Sequence, residues 1–151
     1  MSTYRASVDW SLDGDFAARR YGRGHALRFE GGLVVPGTAS PHVVPPAYCV
    51  EGALDPEAAF TASLASCHML WFLDLAARAG LTVVRYRDEA EGTLARGPDG
   101  KLAMTRVVLR PRVEFAGAAP DPALVADLHH RAHEECFIAN SVKTEVVVEP
   151  A

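Results

Sequence analysis

The chain has 151 residues, 49% of them hydrophobic and 23% charged, and a formal net charge of −4. That length fits a single domain over residues 1–151, able to bury a core without disulfide staples. Mild acidity with no Lys/Arg cluster argues against a nucleic-acid partner, and three cysteines, an odd number, do not make an extracellular disulfide framework.

The start, MSTYRASVDW, has neither a basic nor an apolar leader region, so no secretory signal is expected and a cytoplasmic location is. From Tyr4 to Trp10 the chain alternates, with Tyr4, Ala6, Val8 and Trp10 on one face of a strand. His25 to Glu30 and Leu33 to Val35 flank Gly31-Gly32 and read as a hairpin. The segment from Pro36 to Ala53, with Pro36, Pro41, Pro45 and Pro46, reads as a long loop of the kind that carries function.

A well-punctuated helix follows. Asp55 suits the N-cap, Pro56 the first helical position and Glu57 the first turn, and Gly80 stops the run after Arg78 and Ala79. Thr61, Ser63, Ser66, His68 and Asp74 interrupt its apolar stretch, so it reads as a core helix and not a membrane span. Apolar residues nevertheless cover nearly every face, which predicts a helix wrapped by protein on all sides, with a partner subunit covering one of them. Leu81 to Leu94 and Leu102 to Phe115 predict two long strands joined by the turn Arg96-Gly97-Pro98-Asp99-Gly100, although Val108 breaks the alternation of the second. A second helix opens near Asp121-Pro122 and runs to about Cys136, with Leu124, Val125, Leu128 and Ala132 as its apolar stripe, and Thr144 to Val148 closes the chain as a strand. The order predicts an α+β domain with helices packed on a largely antiparallel sheet.

Cys67 falls in the middle of the first helix, where the macrodipole does not reach to stabilise a thiolate. A working Cys67 would need a cation brought from elsewhere in the fold. His68 is adjacent but points about 100° away, so it reads as a packed or interfacial histidine. Cys136 ends the second helix beside Asn140, which suits local turn work.

The segment Asp55-Pro-Glu57-Ala-Ala-Phe60-Thr-Ala-Ser-Leu-Ala-Ser-Cys67-His68-Met69 resembles the first cysteine motif of the OsmC/Ohr hydroperoxide reductases, and Ala132-His-Glu-Glu-Cys136-Phe-Ile-Ala-Asn140-Ser-Val resembles the second. The resemblance spans essentially the whole chain. It implies an OsmC-like fold, mostly antiparallel sheets around two long helices, in an intertwined homodimer with its active sites at the subunit interface. It also implies reduction of organic hydroperoxides in oxidative-stress defence, with no bound cofactor because sulfur carries the electrons. Cys67 would be the peroxidatic nucleophile and Cys136 the resolving thiol that forms a disulfide with it. Glu57 would orient an arginine that holds the thiolate. Arg19, Arg20, Arg23 and Arg28 compete for that role, and Arg23 before Gly24-His25 gives the best register. A thiol reductant, a dithiol of lipoyl type or another, would close the cycle.

The chain departs from the family pattern at Phe137, where Pro often follows the cysteine, in its proline-rich loop, and in a third thiol, Cys49. These leave the OsmC and Ohr branches both open, and Cys49 open as an alternative resolving thiol. Two further readings compete. His129, His133 and Cys136 share a helix face and would suit zinc, but there is no CxxC or HExxH, and a histidine-rich solvated edge fits better. A non-enzymatic module binding a small apolar ligand would use the same central helix.

Overall fold

The computed structural model of the protein describes every residue from Met1 to Ala151. The chain divides into two compact units, Met1–Ala59 and Phe60–Ala151.

The first unit is built of short strands: β1 (Ala6–Asp9), β2 (Gly14–Asp15), β3 (Arg20–Tyr21), β4 (His25–Phe29) and β5 (Val34–Gly37). β1, β4 and β5 form an antiparallel sheet in that order, and β2 pairs with β3. The expected hairpin is present as β4 and β5. Gly31 and Gly32 turn it with φ of 87° and 88°, a region closed to most side chains. Pro36 is tolerated in β5 because that strand lies at the sheet's edge. The proline-rich loop is tied at its ends: Leu54 N–H donates to Pro36 O at 2.9 Å and Thr38 N–H to Leu54 O at 3.1 Å. Inside it the backbone N–H of Val50 donates to Thr38 Oγ1 at 2.9 Å.

The helix α1 (Pro56–Arg78) opens in the first unit and runs through the second. Its start follows the sequence, with Ala58 N–H donating to Asp55 Oδ1 at 2.8 Å. After it come β6 (Val83–Asp88), β7 (Glu91–Arg96), β8 (Leu102–Leu109), β9 (Pro111–Phe115), α2 (Pro122–Glu135) and β10 (Glu145–Val148). The two long strands expected from the sequence are therefore four. β7 pairs with β8 and β6 with β9, so the hairpin keeps its pairing and breaks at matching points, around Glu89-Ala90 and at Arg110. Asp88 Oδ1 secures that break by accepting from the backbone N–H of Arg110 at 2.7 Å. Val108 lies just before it, where Val107, Val108 and Leu109 are buried in succession. β10 adds to β8 in parallel, giving the order β10-β8-β7.

The core of the second unit has two clusters. Phe72, Leu75 and Ala76 of α1 pack with Leu128 and Ala132 of α2, and Leu64 packs with Val107 and Leu109 of β8. Gly92 lets α1 approach β7, because a Cβ there would strike the Thr61 hydroxyl and the Met104 methyl. Within one chain α1 buries only Leu64, His68, Phe72, Leu75 and Ala76, a single stripe at helical spacing. Leu70 remains 60% exposed. The expectation of a helix wrapped on every face is thus not met by one chain. α1 has the length and apolarity to cross a bilayer, yet its buried stripe packs on α2 and on the sheet.

Candidate thiol site

Cys67 lies on α1 between the two clusters, after Leu64 and before Phe72. Cys136 is the C-cap of α2, where the backbone leaves the helix at φ −64° and ψ 109°. A short 3₁₀ turn at Ala139–Ser141 folds back over it. There Asn140 N–H donates to Cys136 O at 3.0 Å, while Asn140 Nδ2 donates to Glu134 O at 2.9 Å. Asn140 thus does the local turn work expected of it, as a donor.

These two elements bring the thiols into hydrogen-bond contact. Burial first, then the bond to Cys67, push the Cys136 thiol up to about 11, and the Ala139 N–H, 3.4 Å from its sulfur, only partly offsets this. Cys136 therefore holds its proton at neutral pH. The pair is thus unequal, the Cys136 thiol being the one pushed up. Exposure repeats the asymmetry: Cys136 is 1% exposed and Cys67 half-buried.

Cys67 opens onto a groove of about 540 Å³ lined by Ser63, Ser66, Leu70, Trp71, Asp74, Phe137 and Ile138. Phe137 stands edge-on to Trp71 with centroids 5.4 Å apart, so both rings form part of the wall. Asp74 is held at the groove by Arg78 at 2.8 Å.

The other sequence-derived candidates lie in the first unit. Glu57 is half-buried in the first turn of α1. Arg20 pairs with Asp15 at 3.4 Å and Arg28 with Asp9 at 2.7 Å. Arg19 occupies the turn between β2 and β3 with φ of 60°. Arg23 is held differently: its guanidinium lies 3.4 Å from the centre of the Tyr21 ring and 5.8 Å from that of Tyr48, and it also donates to Tyr21 O. The Cys49 sulfur sits in its own loop, 3.8 Å from Val44 O and Pro45 O.

The histidines differ most from expectation. His68 is packed, as read, at 1% exposure, but His129 is not on a solvated edge; it is 3% exposed. His68 Nε2 and His129 Nδ1 are 3.1 Å apart, with ring planes within 4° of each other. Phe72 stacks on His129 at 4.2 Å. Burial drives both rings down to about 4, with His129 and His133 adding to the effect at His68, so both are neutral at pH 7. The zinc triad does not form, because His129 is turned to His68 and Cys136 to Cys67, and no three His, Cys, Asp or Glu side chains are grouped to hold a metal. The signal for His129 was in the sequence: with Val125, Leu128, Ala132 and Cys136 it falls on the apolar stripe of α2.

The chain is thus an α+β fold with two helices, mostly antiparallel sheets and a thiol pair where the helices meet. Residues 50–151 match the OsmC-like protein family, and the chain belongs to it. Over 100% of both chains it is 47% identical, with a TM-score of 0.97, to an OsmC-like protein of unknown function from Vibrio cholerae. An organic hydroperoxide resistance protein OsmC from Legionella pneumophila is 20% identical at a TM-score of 0.68, with 99% of this chain and 96% of that one covered. The organic hydroperoxide resistance protein OhrB of Bacillus subtilis is 17% identical at a TM-score of 0.67, with 99% and 98% covered. At these lower identities the likeness is one of fold. A search of curated proteins finds no match.

Proposed function

We propose that the protein is a thiol-dependent peroxidase that reduces hydroperoxides, organic ones above all, in oxidative-stress defence. The observation that carries this reading is that Cys67 meets Cys136 and opens onto a mostly apolar groove. The Cys67 thiolate attacks the terminal peroxide oxygen. The O–O bond breaks, Cys67 becomes a sulfenic acid, and the alkoxide leaves as an alcohol once protonated. Cys136 then displaces the sulfenic oxygen: the S–S bond forms, the S–O bond breaks, and the thiol proton leaves with that oxygen as water. A dithiol reductant returns both sulfurs to thiols.

Arg23 and Glu57 complete the site in this reading. A guanidinium at the thiolate would raise its population above the few per cent expected of a thiol with pKa of about 8.5, and would stabilise the departing alkoxide. The stacking of Arg23 on Tyr21 favours it over Arg20 and Arg28, which are paired with carboxylates. We also propose that the whole chain works as one domain in a homodimer, with a second copy covering Leu70 and Phe137, 60% and 67% exposed at the groove. A cytoplasmic location belongs to the same reading, since a reducing compartment recycles the disulfide.

The test is consumption of tert-butyl hydroperoxide with excess dihydrolipoamide. The parent should turn over and Cys67→Ser should lose at least about a thousandfold in rate, since the nucleophile itself is gone. Equal consumption by parent and variant would end the proposal.

A further inference from the structure

We propose that His68 and His129 are positioning residues for the resolution step: their buried hydrogen bond sets how α1 and α2 cross, and so aligns the Cys136 sulfur with Cys67. This rests on the peroxidase reading above.

His68 follows Cys67 directly, so the two side chains leave α1 about 100° apart. His129 lies seven residues before Cys136, two turns back on the same face of α2. The crossing is therefore pinned by two polar contacts, 68 to 129 and 67 to 136, that start from adjacent positions on α1. Apolar contacts between the helices, such as Phe72 with Leu128, resist separation but not small rotations. A 3.1 Å bond between parallel rings resists both.

Stability does not explain the pair. His68 Nδ1 and His129 Nε2 are buried without partners, a cost that two apolar side chains would avoid. A local rule broken one residue from the reactive thiol points to function. Alignment also matters chemically. The sulfenic acid on Cys67 either loses its oxygen as water to Cys136 or meets a second hydroperoxide, which oxidises it to sulfinic acid and leaves as the alcohol.

Two double variants test this. His68→Leu with His129→Leu removes the bond and keeps an apolar interface; His68→Gln with His129→Asn keeps polar atoms near the Nε2 and Nδ1 positions. Reduced proteins are treated with limiting tert-butyl hydroperoxide or with diamide, which takes both thiol hydrogens itself, and the Cys67–Cys136 disulfide is followed by mass spectrometry alongside thermal melts. The leucine pair should form the disulfide about tenfold more slowly with either oxidant, a loss in keeping with sub-ångström misalignment. With excess hydroperoxide it should gather sulfinic acid at Cys67. The Gln/Asn pair should recover most of the parental rate. Parental rates in a folded leucine pair, or a Gln/Asn pair as slow as the leucine pair, would overturn the proposal. Should the leucine pair not fold, nitrogen NMR of the parent decides: imidazole shifts showing no hydrogen bond between the two rings would overturn it equally. A parent that forms the disulfide with diamide but not with hydroperoxide would defeat the peroxidase reading alone.

Discussion

The two units of the chain are stabilised by different means. In Met1–Ala59 the fully buried residues are Gly37, Thr38 and Ser40, and the cross-links are backbone pairs plus exposed ion pairs such as Arg5–Glu30 at 3.1 Å and Arg28–Asp9 at 2.7 Å. In Phe60–Ala151 the buried set includes Leu64, Phe72, Val107, Leu109, Leu128 and Cys136. Solvated ion pairs contribute little, whereas buried apolar area dominates stability. Cys67 and Cys136 thus sit in the unit with a core of its own, where a side chain can be held to a fraction of an ångström.

That contrast can be broken by experiment. Phe72→Ala, at the centre of the α1–α2 cluster, should cost about 3–5 kcal/mol in urea unfolding. A cost below about 1 kcal/mol would mean the cluster does not hold the second unit together.

Acid should act there next. His68 and His129 have pKa values near 4 in the folded protein against about 6.5 when unfolded. The unfolded chain therefore binds more protons between pH 6.5 and 4, and stability falls as pH drops through that window. The loss should be on the order of 3 kcal/mol per histidine between pH 7 and pH 4, and in the double leucine variant the slope should flatten. An equally steep slope without the histidines would locate the acid sensitivity elsewhere.

The smallest effect belongs to the first unit. Arg28→Ala removes an exposed pair and should shift stability by less than about 1 kcal/mol. A loss approaching that of Phe72→Ala would erase the difference between the units.

Much of this was legible in the sequence where the signal is local. The Asp55-Pro56 start and the stop near Gly80 mark α1 because caps act within one turn. Gly31-Gly32 marks its hairpin for the same reason. What escaped was set by partners distant in sequence. The parallel pairing of β10 with β8 depends on about forty intervening residues and leaves no local trace. The break between β8 and β9 did leave one, since Pro111 cannot donate within a ladder, but alternation through Thr105 to Phe115 outweighed it. Cys67 and Cys136 were singled out by resemblance, and only the crossing of α1 and α2 makes them neighbours. The polarity of His129 points to a solvated edge, whereas its place on the stripe of Leu128 and Ala132 sets its burial.

The burial of Cys136 has a consequence for the return half of the cycle. A reductant entering the groove meets Cys67 first, so the sulfur it must expel is Cys136. With a pKa pushed up to about 11, that thiol is a sluggish leaving group. On the proposed cycle the protein is discharged slowly by its donor. Its oxidised fraction then works as a short-term memory of exposure, set by the supply of reductant more than by the peroxide present at any instant.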